Sequence, residues 1–185
     1  MSGRTRVYVE VGGKRAFASA ADWPGWCRSG KSEAAALEAL ASYAPRYAKV
    51  ARLARVELPK DATNFNVVER LKGNATTDFG APGIPAKDET KRMTAAETRR
   101  MVALLEACWK YLDNVRAKAP FEHVLGAELE YAKRIGLRLK QLDRRALAES
   151  FSNPNREEKW PVAYAVRRTA WHALDHAWEM EDRIP

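Results

Sequence analysis

The sequence predicts an α+β N-terminal module followed by an all-α antiparallel four-helix bundle, and three observations carry that expectation. Apolar and polar residues alternate over "TRVYVEVGGKRAFASA" at 5–20, the period of a half-buried strand. From Thr94 onward the apolar spacing changes to steps of three and four and stays so, the period of amphipathic helices. Between the two, "GNATTDFGAPGIPAKDET" is dense in Gly, Pro, Thr and Asp and follows neither period. The expected segments are therefore 1–58, a linker or loop over 59–93, and 94–185, with distinct cores in the first and the last.

Composition narrows the functional classes. A chain of 185 residues has room for one ordinary domain or two small ones, since domains commonly run to about 100–150 residues. With 46% hydrophobic and 30% charged residues, it lacks any apolar run near the roughly 20 residues that cross a bilayer, so no membrane role is expected. The N-terminus is basic but has neither the apolar core nor the cleavage site of an export signal, which predicts a cytoplasmic location. There Cys27 and Cys108, far apart in sequence, should be reduced thiols. The net charge of +8 suits an anionic partner. Acidic residues are interleaved throughout, however, and no dense Lys/Arg tract or RNA-binding aromatic motif occurs, so nucleic acid is not the expected partner. A small-molecule substrate is, with a homodimer allowed.

In the first segment Val7, Val9 and Val11 share one strand face, and Gly12-Gly13 reads as a two-residue hairpin turn before a second run around Phe17. "DWPGW" at 22–26 is a turn, Ser32 caps an Ala- and Leu-rich helix from about 33 to 44, and Pro45 ends or kinks it. Pro24-Gly25, Gly30 and Ser32 stand in an ungapped register, with Ala36-Leu37 continuing the helix. In that register the opening resembles the small HicB-like domain over residues 4–56. It departs at Lys31, Ala34 and Ala35, where acidic residues are usual, and no separate DNA-binding module follows. The resemblance implies a strand-strand-turn-strand-helix unit that can engage a protein or nucleic acid. A non-catalytic binding or regulatory protein, antitoxin-like or a scaffold, is therefore the alternative to an enzyme. "FNVVERL" offers a further strand, and the Gly- and Pro-rich stretch after it reads as a long ordered loop or a lid.

The first of the four helices spans about 95–118, with Val102, Leu105, Trp109 and Leu112 on its stripe and Cys108 and Val115 beside them. Pro120 separates it from "FEHVLGAELEYAKRI", whose buried stripe is expected at Leu125, Leu129, Ala132 and Ile135. "LKQLDRRALAESF" offers a shorter third helix, and Pro161 opens a fourth that runs to about Arg183, with Trp171, Leu174 and Trp178 facing the core. Short and medium connections favour an antiparallel bundle.

The chain has three histidines, and two of them, His172 and His176, lie four residues apart on the last helix. Both imidazoles project from one face and can reach one ion, although the same spacing suits hydrogen-bonded helix histidines. Ala173 stands where H-E-x-x-H has its glutamate, so the pattern is not that of a zincin. The third histidine lies in "HVLGAE", and this segment followed at long range by "HALDHAWEMEDR" resembles the DinB/YfiT superfamily of four-helix metal proteins, over about 94–183. That superfamily includes the mycothiol-dependent maleylpyruvate isomerase branch. The resemblance implies a metal triad of His123, His172 and His176. It also implies a thiol-dependent S-transferase or isomerase, or a metal-assisted hydrolase, acting on a small electrophile. Zinc is the expected ion, with nickel or iron as alternatives and a low-molecular-weight thiol as a co-substrate. Three neutral imidazoles leave a coordination position open, as catalytic sites do. Glu179 shares the histidine stripe and is expected as an orienter, a general base, or a partner for Arg183 at i+4. Arg168, one turn before His172, is expected to meet a substrate carboxylate or to remain at the surface. Cys108 is expected to pack rather than to ligate.

Overall fold

The computed structural model describes residues 4–116, 122–153 and 159–183. The fold is α+β, with a four-stranded sheet in the N-terminal part and a mostly helical remainder. Strands β1 (Thr5–Val11), β2 (Ala16–Ala20) and β3 (Cys27–Gly30) run antiparallel to their neighbours, and β4 (Phe65–Lys72) adds in parallel to β1, giving the order β3-β2-β1-β4. The hairpin expected from the valine alternation is present, but its turn is not the two-residue kind. Val11 pairs with Ala16, so the loop comprises 12–15, closed by Gly12 N–H donating to the Arg15 carbonyl at 2.9 Å. Gly12 and Gly13 are not among the positive-φ residues. A Cβ at 12 would lie 2.4 Å from Asp78 Oδ1, the oxygen that accepts the Lys14 N–H at 2.7 Å, so a larger residue there would displace that carboxylate.

Ser32 caps helix α1 (Glu33–Ser42), its hydroxyl oxygen accepting from Ala35 N–H. Pro45 does more than end that helix. It occupies the first turn of a further helix, α2 (Ala44–Leu53), where a missing N–H costs nothing. Trp26 joins both helices to the sheet. Its ring is fully buried and stacks on Tyr47 at 5.4 Å, and its Nε1 donates to the Leu40 carbonyl at 2.9 Å. Tyr47 in turn donates to the Pro24 carbonyl at 2.9 Å, which ties α2 to the turn before β3.

The helical part comprises α4 (Ala95–Arg116), α5 (Glu122–Arg134), α6 (Arg144–Ser152) and α7 (Val162–Asp182), after a five-residue α3 (Ala75–Phe79) in the preceding segment. Helix α4 packs on α7, α6 and α2, and α5 packs on α7. Pro120 lies outside the described residues, as does much of the loop before Trp160. The third helix starts later than expected, because the Asp143 carboxylate accepts from Ala146 N–H at 3.0 Å and sets the N-terminus there. On α5 the buried stripe runs through Val124, Glu128 and Ala132, with Ile135 buried just past the helix end, while Leu125 and Leu129 are only partly covered. A glutamate read as polar takes a core position because it is fully partnered. Its carboxylate accepts from Trp109 Nε1 at 2.9 Å and from Arg144 at 2.8 and 3.0 Å.

The segment from Asn74 to Thr90 is an ordered strap. Buried Glu10 accepts from Thr77 Oγ1, from Gly83 N–H at 2.9 Å and from Ile84 N–H at 3.0 Å. Buried Glu89 holds Arg167 of α7 through two oxygens. Segments that open over a site carry few such bonds, so the lid alternative gives way to the connecting one.

The expectation of two distinct cores is also corrected. One continuous apolar cluster runs from Val7, Trp26 and Tyr47 through Leu105 and Cys108 to Leu174 and Trp178. Helix α7 is its axis: every residue from Ala163 to Leu174 is buried, as befits a helix covered on all sides. The sheet module differs from the helices in its sequence period, yet α7 packs on its strands through Trp171 against Phe17 and Arg167 against Ser19, and α4 packs on α2 and the turn at Pro24. Among the described residues no helix is long and apolar enough to cross a membrane.

Candidate metal centre

His123 lies in the first turn of α5, and His172 and His176 lie one turn apart on α7, so the packing of α5 on α7 decides whether they meet. They do. The ring centroids are separated by 5.5 Å (His123–His172), 5.3 Å (His123–His176) and 4.6 Å (His172–His176). One nitrogen from each ring lies within 4.8 Å of the others. Nitrogens sharing one tetrahedral zinc at about 2.0–2.1 Å are about 3.3 Å apart, so small χ rotations would close the set around an ion. Burial is graded across the three. His172 is 7% exposed, His176 is half-buried and His123 is exposed, which leaves the centre open on the α5 side.

The electrostatics favour a neutral imidazole at His172. Burial, helped by the neighbouring His176, Arg168 and His123, pushes the His172 pKa down to about 3, so its imidazole is neutral at ordinary pH. Its Nδ1 is buried without a hydrogen-bond partner, an unmet valence that a metal or ligand would satisfy. Glu179 lies between His176 and its expected partner Arg183. One oxygen stands 3.3 Å from His176 Nδ1 and the other accepts from Arg183. A carboxylate at Nδ1 favours the tautomer that leaves Nε2 free to ligate. The donor set thus fits a borderline cation such as zinc.

Arg168 is not at the surface, contrary to one of its two expected placements. It is 8% exposed, with its guanidinium carbon 4.4 Å from the Trp171 ring centroid and 5.5 Å from that of Tyr131. Tyr131 stands 5.7 Å from His172 and 5.3 Å from Trp160, whose ring is 5.0 Å from that of Tyr164. This aromatic wall was missed in the sequence. Tyr131 lies eight residues after His123, two turns along the same helix face, and that spacing was the available signal. On the other flank Arg28 of β3 donates to Asp175 at 2.8 Å and lies 4.1 Å over the Tyr43 ring, so the sheet module shapes the histidine-bearing end of α7.

Neither cysteine joins the centre. Cys27 accepts from the Ser19 hydroxyl at 3.0 Å and burial pushes its pKa up to about 12. Cys108 packs against the Pro24 carbonyl, and burial raises its pKa as well. Both are poor nucleophiles. Comparison of the chain with protein-family models, with curated proteins and with solved structures finds no match.

Proposed function

We propose that the chain is a metal-dependent enzyme of the DinB/YfiT type, in which α4 to α7 form an antiparallel four-helix bundle around one divalent ion. Zinc is the first choice, with nickel and iron as alternatives. The reaction is thiol-dependent S-transfer or isomerisation of a small electrophile, or metal-assisted hydrolysis at the same site. The observation that carries the reading is the convergence of the chain's three histidines, from two separate helices, to within 4.8 Å. A bound ion would supply Lewis acidity and lower the pKa of an incoming thiol or water.

The chain's own residues supply the rest. His172, held in the packed interior of α7, fixes the floor of the site, and Glu179 orients His176. Exposed His123 leaves an approach from solvent. Tyr131 and Trp160 exclude water from one side. With Cys27 and Cys108 buried and protonated, the nucleophile comes from outside the chain, as an exogenous thiol or a water. The test follows electrophile consumption by metal-loaded protein with and without a small thiol, before and after chelation. Turnover should need the metal, and His176→Ala should abolish it while the far-UV circular dichroism is unchanged. Absence of thiol-dependent and hydrolytic turnover across a broad panel of electrophiles would return the chain to the binding or regulatory class.

A further inference from the structure

Two adjacent buried arginines on α7 are treated very differently. Arg167, 2% exposed, is saturated: Glu89 takes two of its donors, and the Ile84 carbonyl and the Ser19 hydroxyl take others. Arg168, 8% exposed, has no ion pair and no hydrogen bond among the described residues, and its Nη1 is buried without an acceptor. Trp171 and Tyr131 stack near the guanidinium and attract its charge through their ring faces. The rings supply no charged acceptor, and Nη1 is left unmet. Trp171 Nε1 and His172 Nδ1 are buried and unpartnered as well, so three polar atoms without partners fall within five consecutive residues of one helix. A buried cation lacking a counter-charge is destabilising, and folds retain one where something else supplies the anion.

We infer that Arg168 is the anion-binding group of this site, receiving the carboxylate of a small ligand that lies between the guanidinium and the three histidines. The inference rests on the proposed metal centre for what happens to that ligand, but not for its binding. Arg168 precedes His172 by one turn on the same face of α7, so a ligand held by the first reaches the second. The planar guanidinium fork matches a carboxylate through two parallel hydrogen bonds. A carboxylate's single charge is balanced by this one guanidinium, whereas the nearby Arg167 and Arg28 are already engaged by Glu89 and Asp175. Tyr131 and Trp160, both only partly buried, offer apolar faces for the body of such a ligand.

The experiment uses metal-free protein, so that no ion can capture the probe. Benzoate, its neutral isostere benzamide and inorganic phosphate are titrated calorimetrically into the wild type, Arg168→Met and Arg168→Lys. Benzoate should bind the wild type about tenfold or more tightly than benzamide does, the scale of a charge-assisted hydrogen-bonded pair. Arg168→Met should lose that preference and melt no lower than the wild type, because it removes an unpaired buried charge. Arg168→Lys, which keeps the charge without the fork, should bind benzoate more weakly than the wild type and serves if the methionine variant fails to fold. Equal affinity for benzoate and benzamide, unchanged benzoate affinity in both variants, or tighter binding of phosphate would each overturn the assignment. Zinc titration of the same samples separates the two claims. Arg168-dependent benzoate binding by protein that takes up no zinc would sink the metal centre and leave the anion site standing.

Discussion

Replacing Gly25 by alanine would show directly whether the sheet module and the helices share one core. Gly25 has φ +91°, and a Cβ built there would meet Leu174 Cδ1 at 2.7 Å, Cys108 Sγ at 2.9 Å and the Ala170 carbonyl oxygen at 3.2 Å. The positive φ costs an alanine about 1–2 kcal/mol. Forcing a methyl between the side chains of two different helices adds about 1–3 kcal/mol, and the stiffer unfolded chain offsets about 0.4–1 kcal/mol. The net loss is about 2–4 kcal/mol. With a urea m-value of about 2 kcal/mol/M, the midpoint falls by about 1–2 M. Gly126 on α5 is the control, since a Cβ there meets nothing within 4 Å. Gly126→Ala should raise stability by about 0.5–1 kcal/mol through helix propensity alone. Urea unfolding followed by circular dichroism reads both variants. A Gly25→Ala protein within about 0.5 kcal/mol of the wild type, or one showing a separate, unshifted helical transition, would refute the shared core.

Three further outcomes are expected. Glu89→Ala strands Arg167, which is 2% exposed, and should destabilise the protein by about 3–5 kcal/mol in the same unfolding assay. Glu179→Gln keeps its shape but loses the charge facing His176, so zinc affinity measured against a competing chelator should fall about tenfold with little change in melting temperature. Acid should weaken the metal-free protein through His172. Its folded pKa of about 3 lies below the usual 6.5, so the unfolded chain takes up the proton first. That contribution to stability is complete above about pH 6.5 and is lost as the pH falls towards 3. The melting temperature of His172→Gln should therefore drop less between pH 7 and pH 4.5 than that of the wild type.

Local patterns were legible where one period or one cap decides the structure. The valine alternation marked β1, Ser32 marked the start of α1, and Trp171, Leu174 and Trp178 marked buried positions of α7 without showing that its other faces are covered too. The histidines could be paired on α7 by spacing, but His123 could be added only through a family resemblance, because its approach depends on how α5 packs. What stayed hidden was long-range partnership. Glu128 reads as a surface residue until Arg144 and Trp109 are placed beside it. Arg168 reads equally as a surface residue or a carboxylate partner until Tyr131 and Trp171 are placed beside it. Pro45 reads as a stop, yet it begins α2, since a proline suits a helix start as well as a helix end. The two-residue turn was wrong because Gly12 serves a close approach by Asp78 rather than a positive φ, a constraint imposed from 66 residues further along the chain. The separate cores failed for the same reason, since a change of period marks a change of element and says nothing of which faces meet.

The central claim is that His123, His172 and His176 hold one divalent ion, and metal content tests it most directly. Protein made without a histidine tag, exposed to zinc, nickel or ferrous iron and then freed of excess, is assayed by elemental mass spectrometry alongside the three single alanine variants. The account predicts about one ion per chain in the wild type and loss of retained metal in each variant, with the fold preserved by its apolar core. No ion above background in the wild type with any of the three metals, or equal retention in the alanine variants, would contradict it.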